Sequence, residues 1–376
     1  MKVSPWSAWK ARLIVVAFCA IVGTRQARTA ENDKVTLVKN KEAVTGKITK
    51  DDKDGLEMEV GGGARRTFNS AEIADVDWDI STEGFRDAVN SFRSGSYSTA
   101  AEGLQAIIDQ KEVLDQVRAV ARPYLLYLYA ECKFRSGKAQ EAAAGYQRLI
   151  STYANSRYTP MALTNMADAA IQSKAFDKLP ALLAHLREGG PDQKQMADYF
   201  EGEALMAQNK PAEALKKYAN AATGIVPRVK AMALVGQARC LIAAGDAAKA
   251  RDAAQAALNL TPPDSVSAMA HTIIGDAIVA EADAKKTTGT PLQDALLDAV
   301  LEYLRVQNQY PTDARTEGYA VLRAGECFKR LSKLPGRAAG EDQARAVALF
   351  SRLSGDRRFA NTDFPNKASK FLDEMK

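Results

Sequence analysis

The feature that most constrains the fold is a helical unit that recurs along the chain after residue 81. Three of its copies read "RSGKAQEAAAGYQRL", "AQNKPAEALKKYANA" and "AAGDAAKARDAAQAAL". In each copy an alanine stands five residues after the turn residue, and an apolar residue stands four positions further on. These alanines are Ala142, Ala214 and Ala250. Self-similarity of this kind indicates a stacked array in which each unit buries its apolar face against its neighbours.

The same spacing extends the array in both directions. Ala100 begins it, a weaker unit has Leu179 at the alanine position, and Ala299 and Ala346 close it after longer turns. Large aromatic residues follow four positions behind, at Tyr146, Tyr218, Tyr303 and Phe350. Prolines and glycines predict where helices start, at Pro160, Pro211 and Pro291, where they stop, at Gly95, Gly137 and Gly245, and where units end, at Pro262 and Pro311. The pattern predicts about fourteen helices in antiparallel pairs over residues 81–362, and a last, capping helix within 363–376.

These units resemble the tetratricopeptide repeat, which carries a small residue, an alanine, an aromatic residue and a closing proline at set places. The resemblance implies a mainly α protein, a right-handed α-solenoid of about seven helical hairpins. It also implies a non-catalytic scaffold that binds a partner protein or peptide. The stretches "ANSRYTPMALTNMADA" and "YPTDARTEGYAVLRAGECF" resemble linkers of bacterial envelope members of this superfamily.

Residues 31–80 have a different period. Apolar and polar residues alternate over five short stretches, with turn-forming residues such as Asn40 and Asp54-Gly55 between them, which predicts five β-strands. The apolar positions are Val35, Leu37, Val44, Ile48, Leu56, Met58, Val60, Phe68, Ile73 and Val76. We expect a small all-β barrel, and the stretch resembles the SH3-like or Sm-like barrels that open some secreted bacterial helical-repeat proteins.

Residues 1–30 have the order of an export segment. Basic residues come first, the apolar run "LIVVAFCAIVG" follows, and small residues surround Ala27 and Ala30. We therefore expect an exported protein, in the periplasm or associated with the cell envelope. Two alternatives stay open, a signal peptide cleaved near Ala30 and an uncleaved membrane anchor on a subunit of an envelope assembly machine. The anchor is the one route by which we expect the chain to contact a membrane.

Composition limits the other functions. The formal charge is +5, and the first thirty residues contribute all of it through Lys2, Lys10, Arg12, Arg25 and Arg28, without any acid. The remaining chain is neutral, so no general attraction to nucleic acid is expected.

Motifs that would indicate catalysis or a bound cofactor are missing from the sequence. Gly137-Lys138 lacks the second glycine of a phosphate-binding loop and follows a predicted helix. His185 and His271, the two histidines, fall in different units, so their spacing assembles neither a metal site nor a nucleophile. We expect no enzyme and no cofactor; a hydrolase or carbohydrate-active enzyme would need a cleft with paired buried carboxylates.

Three cysteines follow the export segment, Cys132, Cys240 and Cys327. Each lies two residues after the small residue of its unit's first helix, at Ala130, Ala238 and Gly325. The three cysteines thus occupy equivalent positions in separate units, too far apart for a disulfide. We expect three free thiols that pack as small apolar groups.

The resemblance also implies a concave groove lined by three positions of each first helix. The first position holds Tyr124, Met161, Met196, Met232, Met269 and Tyr319. The position three residues on holds Tyr127, Thr164, Tyr199, Val235, Thr272 and Leu322. The position seven residues on holds Glu131, Asp168, Glu203, Arg239, Asp276 and Glu326. We expect a stripe of methionine and tyrosine beside a mostly acidic ladder, suited to a peptide with apolar and basic residues. The alternative is that the stripe only packs neighbouring units together.

Overall fold

The computed structural model describes residues 32–310, 314–336, 338–360 and 362–375. The expectations for residues 1–30 and for Pro311 therefore lie outside the described residues. The chain divides into two compact units between Ser81 and Thr82. The first unit holds the strands and the second holds the main helices.

Five antiparallel strands form the N-terminal unit: β1 Asp33–Leu37, β2 Ala43–Asp51, β3 Gly55–Val60, β4 Ala64–Asn69 and β5 Ile73–Asp77. The predicted alternation is confirmed, because its apolar positions are buried except for Leu37 and Val60, which are half-buried. Asp33 is fully buried beneath them and accepts hydrogen bonds from the backbone N–H groups of Ile48 and Asp79. The alternating pattern thus marks one face of the sheet as the core.

The predicted barrel is wrong: the described strands form an open sheet. Their order is β4-β3-β2-β1-β5, so β4 and β5 are its two edges and no described pairing joins them. Strand β2 pairs with β1 along its first half and with β3 along its second, with an irregular register between Ile48 and Lys50. Alternation decides which side chains face the core. It does not decide whether the edge strands meet, which depends on how far the strands bend and stagger.

The second unit is built from helices joined by short turns. Their bounds are α1 Phe85–Arg93, α2 Tyr97–Asp109, α3 Lys111–Leu114, α4 Arg122–Arg135, α5 Ala139–Thr152, α6 Tyr158–Gln172, α7 Leu179–Glu188, α8 Pro191–Ala207, α9 Pro211–Ala222, α10 Pro227–Ala243, α11 Ala247–Leu258, α12 Asp264–Ala284, α13 Gly289–Gln309, α14 Ala314–Leu331, α15 Ala339–Gly355 and α16 Phe364–Asp373. No helix among them combines the length and apolar character that a membrane span requires.

The helices pack as successive hairpins, which confirms the mainly helical repeat architecture. The pairs are α1/α2, α4/α5, α6/α7, α8/α9, α10/α11, α12/α13 and α14/α15 in the described part of the chain, and α16 packs on α15. Pro211 begins α9 as predicted, and Pro160 and Pro291 lie in the first turns of α6 and α13. The unit alanines Ala142, Ala214 and Ala250 are fully buried, because at that position the two helices of a hairpin approach closely.

The turn inside each hairpin places one residue in the left-handed conformation. Gly95, Gly137 and Gly245 have φ near +80° there, as their predicted role as helix ends requires. Lys174, with φ 57°, holds the same place between α6 and α7. A side chain disfavours this conformation, whereas glycine adopts it readily.

We expect Lys174→Gly to raise the free energy of unfolding by about 0.5–1 kcal/mol. The strain energy of a side chain in the left-handed conformation is larger than the conformational entropy cost of ordering a glycine there. Gly245→Ala is the matched control. An added Cβ at Gly245 meets no atom within 4 Å, so its expected loss of about 1 kcal/mol is purely conformational. Urea denaturation of both variants measures the difference, and a destabilised Lys174→Gly protein would contradict the assignment.

Candidate functional site

The predicted groove residues lie on the first helix of each hairpin. They occupy α4, α6, α8, α10, α12 and α14. Positions three and seven residues after the first share its helix face. The structure therefore places each set of three on one side of its helix, and stacking of the hairpins brings these sides together.

A cavity of about 450 Å³ lies where α4, α6, α8 and the start of α10 meet. Five residues at the predicted positions line it: Tyr127, Glu131, Met161, Thr164 and Met196. The other lining residues were not predicted as groove residues, and they are Arg135, Pro160, Asn165, Asp192, Gln193, Val226, Arg228 and Val229. The cavity thus combines apolar surface with charged groups of both signs, a mixture typical of a binding site with a polar rim.

Aromatic rings form one wall of this region. The ring of Tyr158, at the start of α6, stacks on Tyr127 with centroids 5.3 Å apart and lies 5.6 Å from the ring of Tyr124. Phe85 contacts Tyr124 edge-on, at 6.4 Å. Tyr124 and Tyr127 therefore do pack neighbouring units together. Met161 differs, because 45% of its surface is exposed at the cavity.

The predicted acidic ladder is mostly engaged within the protein. Glu131 is 8% exposed, and its two carboxylate oxygens accept hydrogen bonds from three groups. Tyr146 Oη donates to it at 2.8 Å, Asn165 Nδ2 at 2.8 Å and Arg135 Nε at 2.7 Å. Burial and the charge of Glu131 raise the pKa of the Tyr146 hydroxyl, so this hydroxyl stays protonated and donates. Glu131 thus joins both helices of its own hairpin to the first helix of the next.

Glu203 and its neighbours repeat this arrangement. Tyr218 Oη donates to Glu203 at 2.6 Å, and Arg239 Nη1, from the next hairpin, lies 2.9 Å and 3.1 Å from its two oxygens. Burial is the largest single influence and lowers the pKa of the Arg239 guanidinium, but the charge and hydrogen bond of Glu203, together with Tyr218 and Tyr199, outweigh it and raise the pKa overall. Arg239 was the exception in the predicted acidic ladder, and the structure shows it as the cation that compensates Glu203.

A third such cluster lies between α12 and α14. Asp276 accepts hydrogen bonds from Tyr303 Oη and Tyr319 Oη, each at 2.7 Å, and pairs with Arg323 Nε at 3.0 Å. Arg323 also reaches Glu326, with Nη1 2.6 Å from Oε2. The predicted groove residues Asp276, Tyr319 and Glu326 are therefore brought together by an arginine that the sequence pattern did not single out.

Asp168 departs from the other acids. Gln172, one turn later on α6, donates a hydrogen bond to it, and no Lys or Arg among the described residues forms an ion pair with it. Burial, followed by the negative charges of Glu203 and Glu131, raises the pKa of this carboxyl above its usual 3.8. Asp168 is thus an acid of this face without a compensating cation.

The middle of the methionine and tyrosine stripe is less exposed than Met161. Met232 and Met269 are half-buried and pack against the apolar core between α10, α11 and α12. Tyr199 is half-buried beside Phe200 and Tyr218, with ring centroids at 5.4 Å and 5.9 Å. Among the predicted groove residues, Met161 is 45% exposed and Tyr319 is 37% exposed, and the cavity lies beside Met161 and Met196.

The prediction of free, packed thiols is confirmed for the three cysteines, which are all free and buried. Burial raises the thiol pKa of Cys132 and of Cys327 to about 12, and that of Cys240 to about 11. The thiolate is the reactive form of cysteine, and a raised pKa keeps these thiols protonated. The three side chains therefore act as apolar packing groups.

His271 is buried in α12, and the sequence did not indicate a partner for it. Its partners are Glu302 of α13 and Tyr310, the residue that follows α13. Its Nδ1 lies 2.6 Å from Glu302 Oε2, and its Nε2 lies 3.3 Å from Tyr310 Oη. The described residues contain no group of three or more His, Cys, Asp or Glu side chains placed to hold a metal ion.

The sequence compares with known proteins as follows. Residues 124–156, which cover most of α4 and all of α5, match a family model of the tetratricopeptide repeat. No curated protein gave a significant sequence match. Solved structures give distant matches. A tetratricopeptide repeat protein from Parabacteroides merdae is 14% identical, with 76% of this chain and 98% of that chain covered and a TM-score of 0.44.

Two further solved structures match at similar levels. PilW, described as a widely conserved type IV pilus biogenesis factor, is 17% identical over 64% of this chain and 97% of its own, with a TM-score of 0.42. The human IFIT1 dimer with m7Gppp-AAAA is 16% identical over 77% of this chain and 69% of its own, with a TM-score of 0.45. The repeat assignment rests on residues 124–156 and on the hairpins themselves.

Proposed function

We propose that this tetratricopeptide repeat protein is a non-catalytic scaffold that binds a protein or peptide on the face formed by α4, α6, α8 and the start of α10. The observation that carries this proposal is the cavity beside Met161. A methionine that is 45% exposed lies there between Tyr127 and Met196. Methionine is flexible and polarisable, so it adapts to apolar side chains of a partner.

The rim of the cavity supports a peptide as the ligand. Arg135, Asn165, Gln193 and Arg228 line it beside the apolar residues. Backbone carbonyl and amide groups of an extended peptide would find donors and acceptors on this rim, while its apolar side chains would contact Met161. A stacked array offers such an extended surface rather than a closed pocket.

The cellular setting is proposed from residues 1–30 and not from the folded units. We infer that the scaffold is exported and acts in the periplasm or at the cell envelope. In the alternative, residues 1–30 stay attached and anchor a subunit of an envelope assembly machine. Intact-mass measurement of the protein from its host separates the two, because cleavage near Ala30 removes the apolar segment.

The binding proposal predicts that a charge at Met161 weakens peptide binding. Ten-residue peptides are selected from a displayed library on the full-length chain, and the dissociation constant of one selected peptide is measured by fluorescence anisotropy. We expect Met161→Glu to weaken binding at least about tenfold, because burying an uncompensated carboxylate against apolar side chains is unfavourable.

Leu301→Glu is the matched control. Leu301 is an apolar residue of α13 that is 56% exposed and does not line the cavity. We expect it to bind the selected peptide like the unaltered protein. Equal affinities for Met161→Glu and the unaltered protein would contradict the proposed binding face.

A further inference from the structure

We propose that Asp168 binds a cationic side chain, arginine or lysine, of the peptide that occupies the α4–α6–α8 face. This inference rests on the proposed function and adds the charge of the partner. Equivalent positions in successive hairpins hold different residues around Asp168 than around the other acids.

Of the other four acids in the ladder, Glu326 pairs with Arg323 of its own helix, and Glu131, Glu203 and Asp276 are each satisfied from two sources. The second helix of its own hairpin supplies a tyrosine, at Tyr146, Tyr218 or Tyr303. The first helix of the next hairpin supplies a second donor, which is Asn165, Arg239 or Arg323. This donor lies four or seven residues after the first of the three groove positions on that helix. The acid is thereby neutralised or fully hydrogen-bonded within the array.

Both sources are replaced at Asp168. The position equivalent to the tyrosine is Leu183 on α7, which is buried and has no donor. On α8, the positions equivalent to Asn165 and Arg239 hold Phe200 and Glu203. Phe200 is apolar and cannot donate a hydrogen bond, and Glu203 carries the same negative charge as Asp168. The array that compensates its other acids thus leaves this carboxylate without a cation.

Asp168 is half-buried and lies one helical turn beyond the residues of α6 that line the cavity. Met161, Thr164 and Asp168 are spaced three and four residues apart, so they share one face of α6. Met161 and Thr164 line the cavity, and Asp168 follows one turn later. A peptide whose apolar side chain contacts Met161 would place a neighbouring side chain of suitable length at Asp168.

The surroundings of Asp168 favour a cation over other groups. Glu131 on α4 and Glu203 on α8 are the charged groups that act on it, and both disfavour its ionised form. The half-buried ring of Tyr199 lies close enough for Asp168 to raise the pKa of its hydroxyl, after the larger effects of burial and Glu203. An arginine or lysine would offset the acidic charge and could also contact the aromatic ring.

The test uses the peptide selection described above and compares the unaltered full-length chain with Asp168→Asn. Asp252→Asn, on the exposed surface of α11, is the matched control. We expect peptides selected on the unaltered protein to share a basic residue next to an apolar one. Replacement of that basic residue by alanine, or Asp168→Asn, should weaken binding about tenfold, the range for a charged hydrogen bond.

A second readout separates a binding role from a structural one. Because burial raises the pKa of Asp168, its ionised form destabilises the fold above that pKa. We therefore expect Asp168→Asn to raise the melting temperature at pH 7 without peptide, and the difference to shrink as pH falls towards 3.8, the usual pKa. If Asp168→Asn is more stable but binds the peptide more weakly, Asp168 serves binding of a cation from the partner and does not stabilise the fold.

The outcomes are distinguishable. Selected peptides without a basic residue, or equal affinity of Asp168→Asn and the unaltered protein, would overturn the cation subsite and leave the scaffold proposal standing. Failure of the unaltered protein to select any peptide would overturn both. A loss of stability in Asp168→Asn would show that Asp168 supports the fold, and would also overturn the subsite.

Discussion

Replacing Tyr218 with alanine is expected to lower the free energy of unfolding by about 3–5 kcal/mol, the range for deleting a large buried ring. Tyr218 is fully buried in α9. A Cβ added at Gly202 would lie 2.7 Å from its ring and one at Gly236 would lie 2.5 Å away, so the ring fills the space between α8 and α10. Truncation leaves a cavity between two hairpins and removes the hydroxyl that donates to Glu203.

Tyr218→Phe serves as the control, since it keeps the ring and removes only the hydroxyl. Arg239 still pairs with Glu203 in that variant, so a smaller loss of about 1.5 kcal/mol is expected, as for a hydrogen bond to a charged group. Urea denaturation measures both variants. If alanine and phenylalanine cost the same, the ring is not what joins the hairpins and the packing argument fails.

Phe350→Ala is expected to cost a similar amount, about 3–5 kcal/mol, and to release the last helix. Phe350 is fully buried in α15, and its ring stacks on Phe371 of α16 with centroids 5.0 Å apart. A Cβ added at Gly325 of α14 would lie 2.6 Å from it. One side chain therefore holds three helices, and its removal exposes the inner side of α16.

Hydrogen exchange measures this second effect directly. We expect the amides of residues 364–373 to exchange much faster in Phe350→Ala, while amides of α4 and α5 keep their protection, because each unit of a stacked array contacts only its neighbours. Leu301→Ala, at an exposed position of α13, is the control and should change stability by less than about 0.5 kcal/mol. Unchanged exchange in α16 would contradict the capping role.

The repeat was readable from the sequence because its determinants are local. Ala142 and Tyr146 share a face by their spacing of four residues, and both are fully buried. Gly137 marks the turn, because the turn requires a positive φ that glycine adopts readily. The position of Cys132 relative to Ala130 predicted a buried thiol, which the structure confirms. Each inference needs only the period of one helix and the conformational preferences of one residue.

The closure of the N-terminal sheet was not readable in this way. Val35, Ile48 and Met58 identify the buried face of the strands, but the same alternation suits an open sheet and a barrel. The structure leaves β4 and β5 as edges, with β2 shared between β1 and β3. Strand bending and stagger decide closure, and they depend on the whole sheet.

The sequence by itself determined the hairpin array, its turns, and which residues share the first-helix face. Tertiary structure alone decided which of the acids on that face are satisfied within the array. Glu131 is satisfied by Asn165, 34 residues away, whereas Asp168 accepts no tyrosine hydrogen bond and pairs with no cation among the residues that the structure describes. Helical period fixes neighbours within one helix. Neighbours across helices depend on how successive hairpins cross, and that geometry separates a carboxylate that is compensated within the array from one that is not.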